Sequence, residues 1–72
     1  MTIDEFKKNI APHMKEGWVA MDEDKTWWWY GNKPRKIRVC WDETEVNFCF
    51  LGRIFNIEPV KDWTKSLIEV GR

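Results

Sequence analysis

Thr26-Trp27-Trp28-Trp29-Tyr30 places four large aromatic rings on consecutive residues. In a strand, successive side chains point to opposite faces. Trp27 and Trp29 therefore share one face, and Trp28 and Tyr30 share the other. A small domain has one core, so one pair fills it and the second pair needs another use. It either packs on the C-terminal segment or a second subunit, or it forms a stacking platform for a planar ligand such as a nucleobase.

Working outward, Trp18–Met21 and Thr26–Tyr30 read as a hairpin around Asp22-Glu23-Asp24-Lys25. A Met21–Thr26 pairing puts Trp18, Ala20, Trp27 and Trp29 on one face. Val19, Met21, Trp28 and Tyr30 then share the other. Ile37–Trp41 and Val46–Leu51 read as a second hairpin around Asp42-Glu43-Thr44-Glu45. With Trp41 opposite Phe48, Val39 meets Phe50 and Ile37 meets Gly52, while Arg38, Cys40, Cys49 and Leu51 take the opposite side. A slip of one residue mixes the two sets, so this register is preferred. Residues 53–57 either continue the last strand past a bulge at Gly52 or form a fifth strand.

Residues 2–16 read as a helix. Thr2 and Glu5 form a capping-box pattern, and Ile3, Phe6, Ile10 and Met14 follow at helical spacing. Pro12 ends or kinks it, and Gly17 is a natural C-cap. Pro59 closes the strand region. Residues 62–68 suit a short helical turn capped by Asp62, with a strand through Ser66–Val70 as the other reading. The expected fold is α+β: one domain over residues 1–72, a small antiparallel meander of four to five strands, an N-terminal helix packed on one face and a short C-terminal helical turn.

Twelve Lys and Arg balance twelve Asp and Glu over 72 residues. That balance argues against general nucleic-acid binding, which needs a basic excess to displace counterions. No apolar run approaches a membrane span, and no signal-peptide pattern opens the chain. The expected location is the cytosol, with Cys40 and Cys49 as thiols rather than a disulfide. A chain this short also gains from self-association, so a homo-oligomer is expected.

Catalytic patterns are missing. His13 is the one histidine, and no nucleophile elbow, phosphate loop or metalloprotease motif accompanies it. Two Cys and one His without a C-x-x-C pair fall short of a zinc site. The expectation is a non-enzyme with no cofactor and no metal. An enzyme acting on a nucleotide survives only if Asp42 or Glu45 approaches the basic end of the sheet, which a meander forbids.

In a meander the acidic first and third turns lie together, and the basic connection lies at the other end beside Tyr30. Stacking by Trp28 and Tyr30, with Lys33, Arg35, Lys36 and Arg38 holding phosphate, suits a nucleotide-like small molecule. The rival reading is a protein–protein module whose surplus Trp face is a hot spot.

Trp18-Val19-Ala20-Met21-Asp22, Asp24-Lys25-Thr26-Trp27-Trp28-Trp29 and Lys33-Pro34 resemble small tryptophan-rich proteins encoded by phages and prophages. Ile57-Glu58-Pro59, Asp62-Trp63 and Ser66-Leu67-Ile68 are similar to the tails of such proteins. The resemblance implies a counter-defence setting in a host cytosol, in which the protein captures a nucleotide signal or masks a host protein. It carries over no site residue.

Overall fold

The computed structural model describes residues 1–38, 40–42, 47–52 and 54–71. Helix α1 spans Ile3–Asn9, and Thr2 and Glu5 cap it reciprocally. It ends earlier than the periodicity suggests. Pro12 enters a 3-10 turn at Ala11–His13 instead of a longer helix. Gly17 is not the C-cap. It opens strand β1, Gly17–Met21, where a Cβ would meet Tyr30 O at 2.5 Å and the Trp29 ring at 2.7 Å.

Strand β2, Trp27–Tyr30, pairs antiparallel with β1. The pairing is Met21 with Trp27 and Trp18 with Tyr30, one residue away from the expected register. The turn explains the shift. Lys25 N donates to Asp22 O at 2.9 Å and Asp22 N donates to Thr26 O at 2.9 Å, which leaves a three-residue loop. Lys25 closes it at φ 70°, a conformation this turn normally assigns to Gly. Lysine gives no hint of that in sequence. The shift exchanges the two faces of β1. Val19 and Met21 now join Trp27 and Trp29, while Trp18 and Ala20 join Trp28 and Tyr30.

The second hairpin does not form as expected. Strand β3, Arg35–Lys36, pairs with β4, Trp41–Asp42, in a separate two-stranded ribbon that sets Arg35 opposite Asp42. Strand β5, Phe48–Phe50, pairs with β2 rather than with the Trp41 segment, with Phe50 opposite Trp28 and Phe48 opposite Tyr30. Cys49 thus faces Trp29, not Cys40, and both thiols are free. Val39, the expected partner of Phe50, and Val46, the expected start of the second strand, lie outside the described residues with Glu43 and Glu45. Residues 54–57 form no strand, and Arg53 is likewise outside the description.

Pro59 does not close the strand region. Asp62 caps a 3-10 turn at Trp63–Lys65, and β6, Ile68–Val70, pairs with β1. Sheet order is therefore β5-β2-β1-β6 and the meander is replaced. A long return brings β6 beside β1 because the ribbon leaves that edge free. Gly71, at φ 79°, completes the return and donates its N–H to Ala11 O at 2.8 Å.

The core lies on the Val19–Met21–Trp27–Trp29 face. Phe6, Ala11, Leu51, Ile57 and Val70 belong to the same buried cluster. At the end of β6 the ladder is completed by a side chain. Met21 N donates to Ser66 Oγ at 2.8 Å, and that buried hydroxyl has Trp63 O at 2.7 Å and Met21 O at 3.1 Å as acceptors.

Ser66→Ala strands the buried Met21 amide. It is expected to cost about 1–3 kcal/mol in urea unfolding, with a melting point lower by roughly 4–8 °C per kcal/mol. Lys25→Gly relieves the left-handed turn residue and is expected to raise stability by up to about 1 kcal/mol, net of the extra chain entropy of glycine. A fall in melting temperature would contradict the assigned turn.

Candidate functional site

The face opposite the core carries Trp18, Ala20, Trp28, Tyr30, Phe48 and Phe50. It is not a bare platform. Ala20 is 0% exposed and Tyr30 4%, and Trp41 stands beside them. Trp41 N donates to Asp22 Oδ1 at 2.9 Å, and Trp41 Nε1 donates to Trp63 O at 3.3 Å. Tyr30 Oη lies 3.4 Å from Trp41 O. The chain thus uses its own β4 against part of the surplus aromatic surface, where the sequence suggests the C-terminal segment, a second subunit or a ligand.

What remains is a cavity of about 160 Å³ lined by Asp22, Trp28, Tyr30, Trp41, Asp42 and Phe48. Its rings are held in place. Trp28 Nε1 donates to Thr26 Oγ1 at 3.0 Å, and Thr26 Oγ1 in turn donates to Asp24 Oδ1. Trp28 lies 5.1 Å from Phe50 and 5.9 Å from Phe48, centroid to centroid, in tilted and edge-on geometries that aromatic pairs favour. Trp41 and Trp63 meet edge-on at 6.4 Å.

The electrostatics differ from the sequence expectation. Trp28 and Tyr30 are brought together, but the walls beside them are Asp22 and Asp42. None of the four expected cations lines this cavity among the described residues. Lys33 Nζ sits 5.3 Å over the Trp18 ring instead. Arg35 and Lys36 are exposed on β3, opposite Asp42 and Trp41. Arg38 is exposed within the β3–β4 connection. Asp42 thus stands opposite Arg35, and neither the clean separation of an acidic from a basic end nor the exclusion of an enzyme that rested on the meander holds.

Burial raises the Asp22 carboxyl above its ordinary range. The Trp41 amide partly opposes this, and the nearby Asp24 charge adds to it. Burial also raises the Cys40 thiol, reinforced by Asp22, Asp42 and Asp24. A second cavity, of about 360 Å³, is lined by Asp22, Glu23, Asp24 and Cys40. The acidic character therefore continues past the aromatic pocket.

A larger cavity of about 390 Å³ lies between Trp18 and Gly31–Lys33, with Lys15, Glu16 and Glu69 on its walls. Among the described residues, no group of three His, Cys, Asp or Glu side chains could hold a metal ion. His13 is exposed on its 3-10 turn. No described helix is long and apolar enough to cross a membrane.

Sequence reasoning missed Asp22, Trp41, Asp42 and Phe48 as walls of one site. Asp22 and Asp42 read as turn acids, while Trp41 and Phe48 read as each other's hairpin partners. Only the packing of the β3–β4 ribbon gathers them. The geometry defines a small antiparallel sheet protein with an aromatic pocket closed by carboxylates. No protein-family model, curated protein or solved structure matches this chain.

Asp22→Asn keeps an acceptor for Trp41 N–H and removes the buried charge. Because the folded-state pKa of Asp22 is raised, ionised Asp22 costs stability at neutral pH. That cost is relieved as pH falls through its folded pKa toward about 3.9, the unfolded value. The variant is expected to melt higher than the parent at pH 7, with the difference shrinking as pH falls into that window. Glu5 and Asp62 are held low by bonds from Thr2 and Thr64 and lose stability in acid, but equally in both proteins. A lower melting point for the variant at pH 7 would contradict the assignment.

Proposed function

We propose that the protein is a non-catalytic binding module that holds a partner protein against the aromatic face of its sheet. The observation that carries this is Phe48. It is 49% exposed on outer strand β5, next to half-buried Trp28, and the two share a cavity. Exposed aromatic rings around a pocket are the usual energetic centre of a protein interface. The resemblance to phage-encoded tryptophan-rich proteins makes a host protein the partner to look for.

A second reading, capture of a nucleotide-like small molecule, has one observation in its favour. The 390 Å³ cavity beside Trp18 falls within the roughly 300–1,000 Å³ usual for small-molecule pockets and carries Lys15 and Lys33. Glu16 and Glu69 share its walls and disfavour phosphate.

Immobilised protein and its Phe48→Ala variant, incubated with bacterial lysate and compared by mass spectrometry, separate the outcomes. At least one protein is expected on the parent at tenfold or greater excess over the variant. Identical retained sets would refute the docking face. Tryptophan emission should stay flat on titration with nucleotides, cyclic dinucleotides and ADP-ribose-type compounds. Saturable quenching lost on Lys33→Ala would favour nucleotide capture, and turnover of any panel member would refute a non-catalytic role.

A further inference from the structure

The partner-binding reading leaves open what enters the 160 Å³ pocket. We propose that this pocket, walled by Trp28, Tyr30, Trp41, Phe48, Asp22 and Asp42, receives the guanidinium group of an arginine on the partner protein. This rests on the partner-binding reading and names the chemistry of its anchor.

Charge sets the sign of the occupant. Among the described residues, the charged walls are the carboxylates Asp22 and Asp42, and the adjoining cavity adds Glu23 and Asp24. Arg35 is the nearest cation by register, opposite Asp42, but it does not line the pocket. An anion there would meet two like charges, whereas a cation would be attracted to both.

The rings select among cations. Indole and phenol faces attract cations through their quadrupole. An ammonium is compact and strongly hydrated, so entering a ring-lined pocket strips water that two carboxylates only partly replace. A quaternary ammonium stacks well but gives a carboxylate no donor. A guanidinium is flat, weakly hydrated and carries donors along its edge. It can lie against a ring while its edge bonds a carboxylate, and such charge-assisted bonds are the strong ones.

Size sets the scale. A cavity of about 160 Å³ falls below the roughly 300–1,000 Å³ usual for small-molecule sites. It suits the head of a side chain whose remainder lies on the surface beside exposed Phe48.

The pocket is also set before anything binds. Asp22 is oriented by Trp41 N–H, Trp28 by Thr26, and Trp41 by Trp63 O. The raised carboxyl of Asp22 fits this role, since an arriving cation offsets the charge that burial disfavours.

The test follows the six indole N–H resonances of the ¹⁵N-labelled protein. The probes are methylguanidinium, N-acetyl-arginine methylamide, a Gly-flanked arginine pentapeptide, the matching lysine pentapeptide and tetramethylammonium. Saturable shifts of the Trp28 and Trp41 indoles are expected with the arginine compounds. The pentapeptide should bind at least tenfold tighter than methylguanidinium, and the lysine peptide and tetramethylammonium at least fivefold weaker than the arginine peptide. The Asp22→Asn/Asp42→Asn double variant, shown folded by its melting curve, should lose at least tenfold in affinity.

Unmoved indoles, or equal affinity for arginine and lysine peptides, would overturn the guanidinium assignment. Methylguanidinium binding as tightly as the peptide would overturn a protein-borne arginine as the source. If the indoles stay unmoved while Phe48→Ala still releases the captured protein, this inference fails and the docking face stands. If Phe48→Ala releases nothing, the docking face fails as well.

Discussion

Pairing Met21 with Trp27 is the constraint on which the other contacts depend. It assigns every side chain of β1 to a face. With Val19 and Met21 beside Trp27 and Trp29, the core receives four large side chains and closes around Phe6 and Val70. The same pairing sets fully buried Ala20 opposite Trp28 on the other face, which it shares with Trp18. A shift of one residue would move Val19 and Met21 out of the core and onto the Trp28–Tyr30 face. The register follows from the loop, because Lys25 at positive φ shortens it to three residues. Holding a lysine there costs on the order of 1 kcal/mol, small beside the burial it organises.

Trp41 is the second fixed point. Its amide, its indole and its carbonyl reach three separate segments, at Asp22, Trp63 and Tyr30. The β3–β4 ribbon has only two residues in each strand, too little to stand alone. Its position depends on these contacts. They also explain how a chain of 72 residues accommodates apolar surface on both faces of one sheet. The core face closes on Phe6 and the turns, and the other closes in part on Trp41.

Not every group is satisfied. Trp27 Nε1 is buried without a hydrogen-bond partner among the described residues, a loss of about 1–3 kcal/mol relative to a paired donor. Asp22 is held where burial disfavours its charge. The two differ in consequence. The Trp27 ring fills core space and its N–H comes with it, so a smaller ring would exchange an orphan donor for a void. Asp22 lines a cavity and accepts the Trp41 N–H, so its buried carboxylate is partly offset where the Trp27 donor is not.

The local grammar was legible in residue types. Thr2 with Glu5 determined the helix start, Asp62 the later 3-10 turn, and the aromatic run its own division into Trp27/Trp29 and Trp28/Tyr30. Each depends on neighbours within a few positions, where hydrogen-bond geometry and strand alternation act directly. The antiparallel character of the sheet followed from the same local pattern. Strand partners did not. Phe48–Phe50 is equally apolar opposite Trp41 or opposite Trp28, so its alternation could not choose between them, and β6 lies beside β1 only because the chain returns across the sheet. The pocket is a product of those choices. Trp28 and Tyr30 were readable as a surplus pair, but their carboxylate neighbours come from a turn and a ribbon 20 residues apart in sequence (Asp22 to Asp42). Local sequence thus determined which rings were available, while long-range packing, which decides the neighbours of each ring, determined the charge that surrounds them.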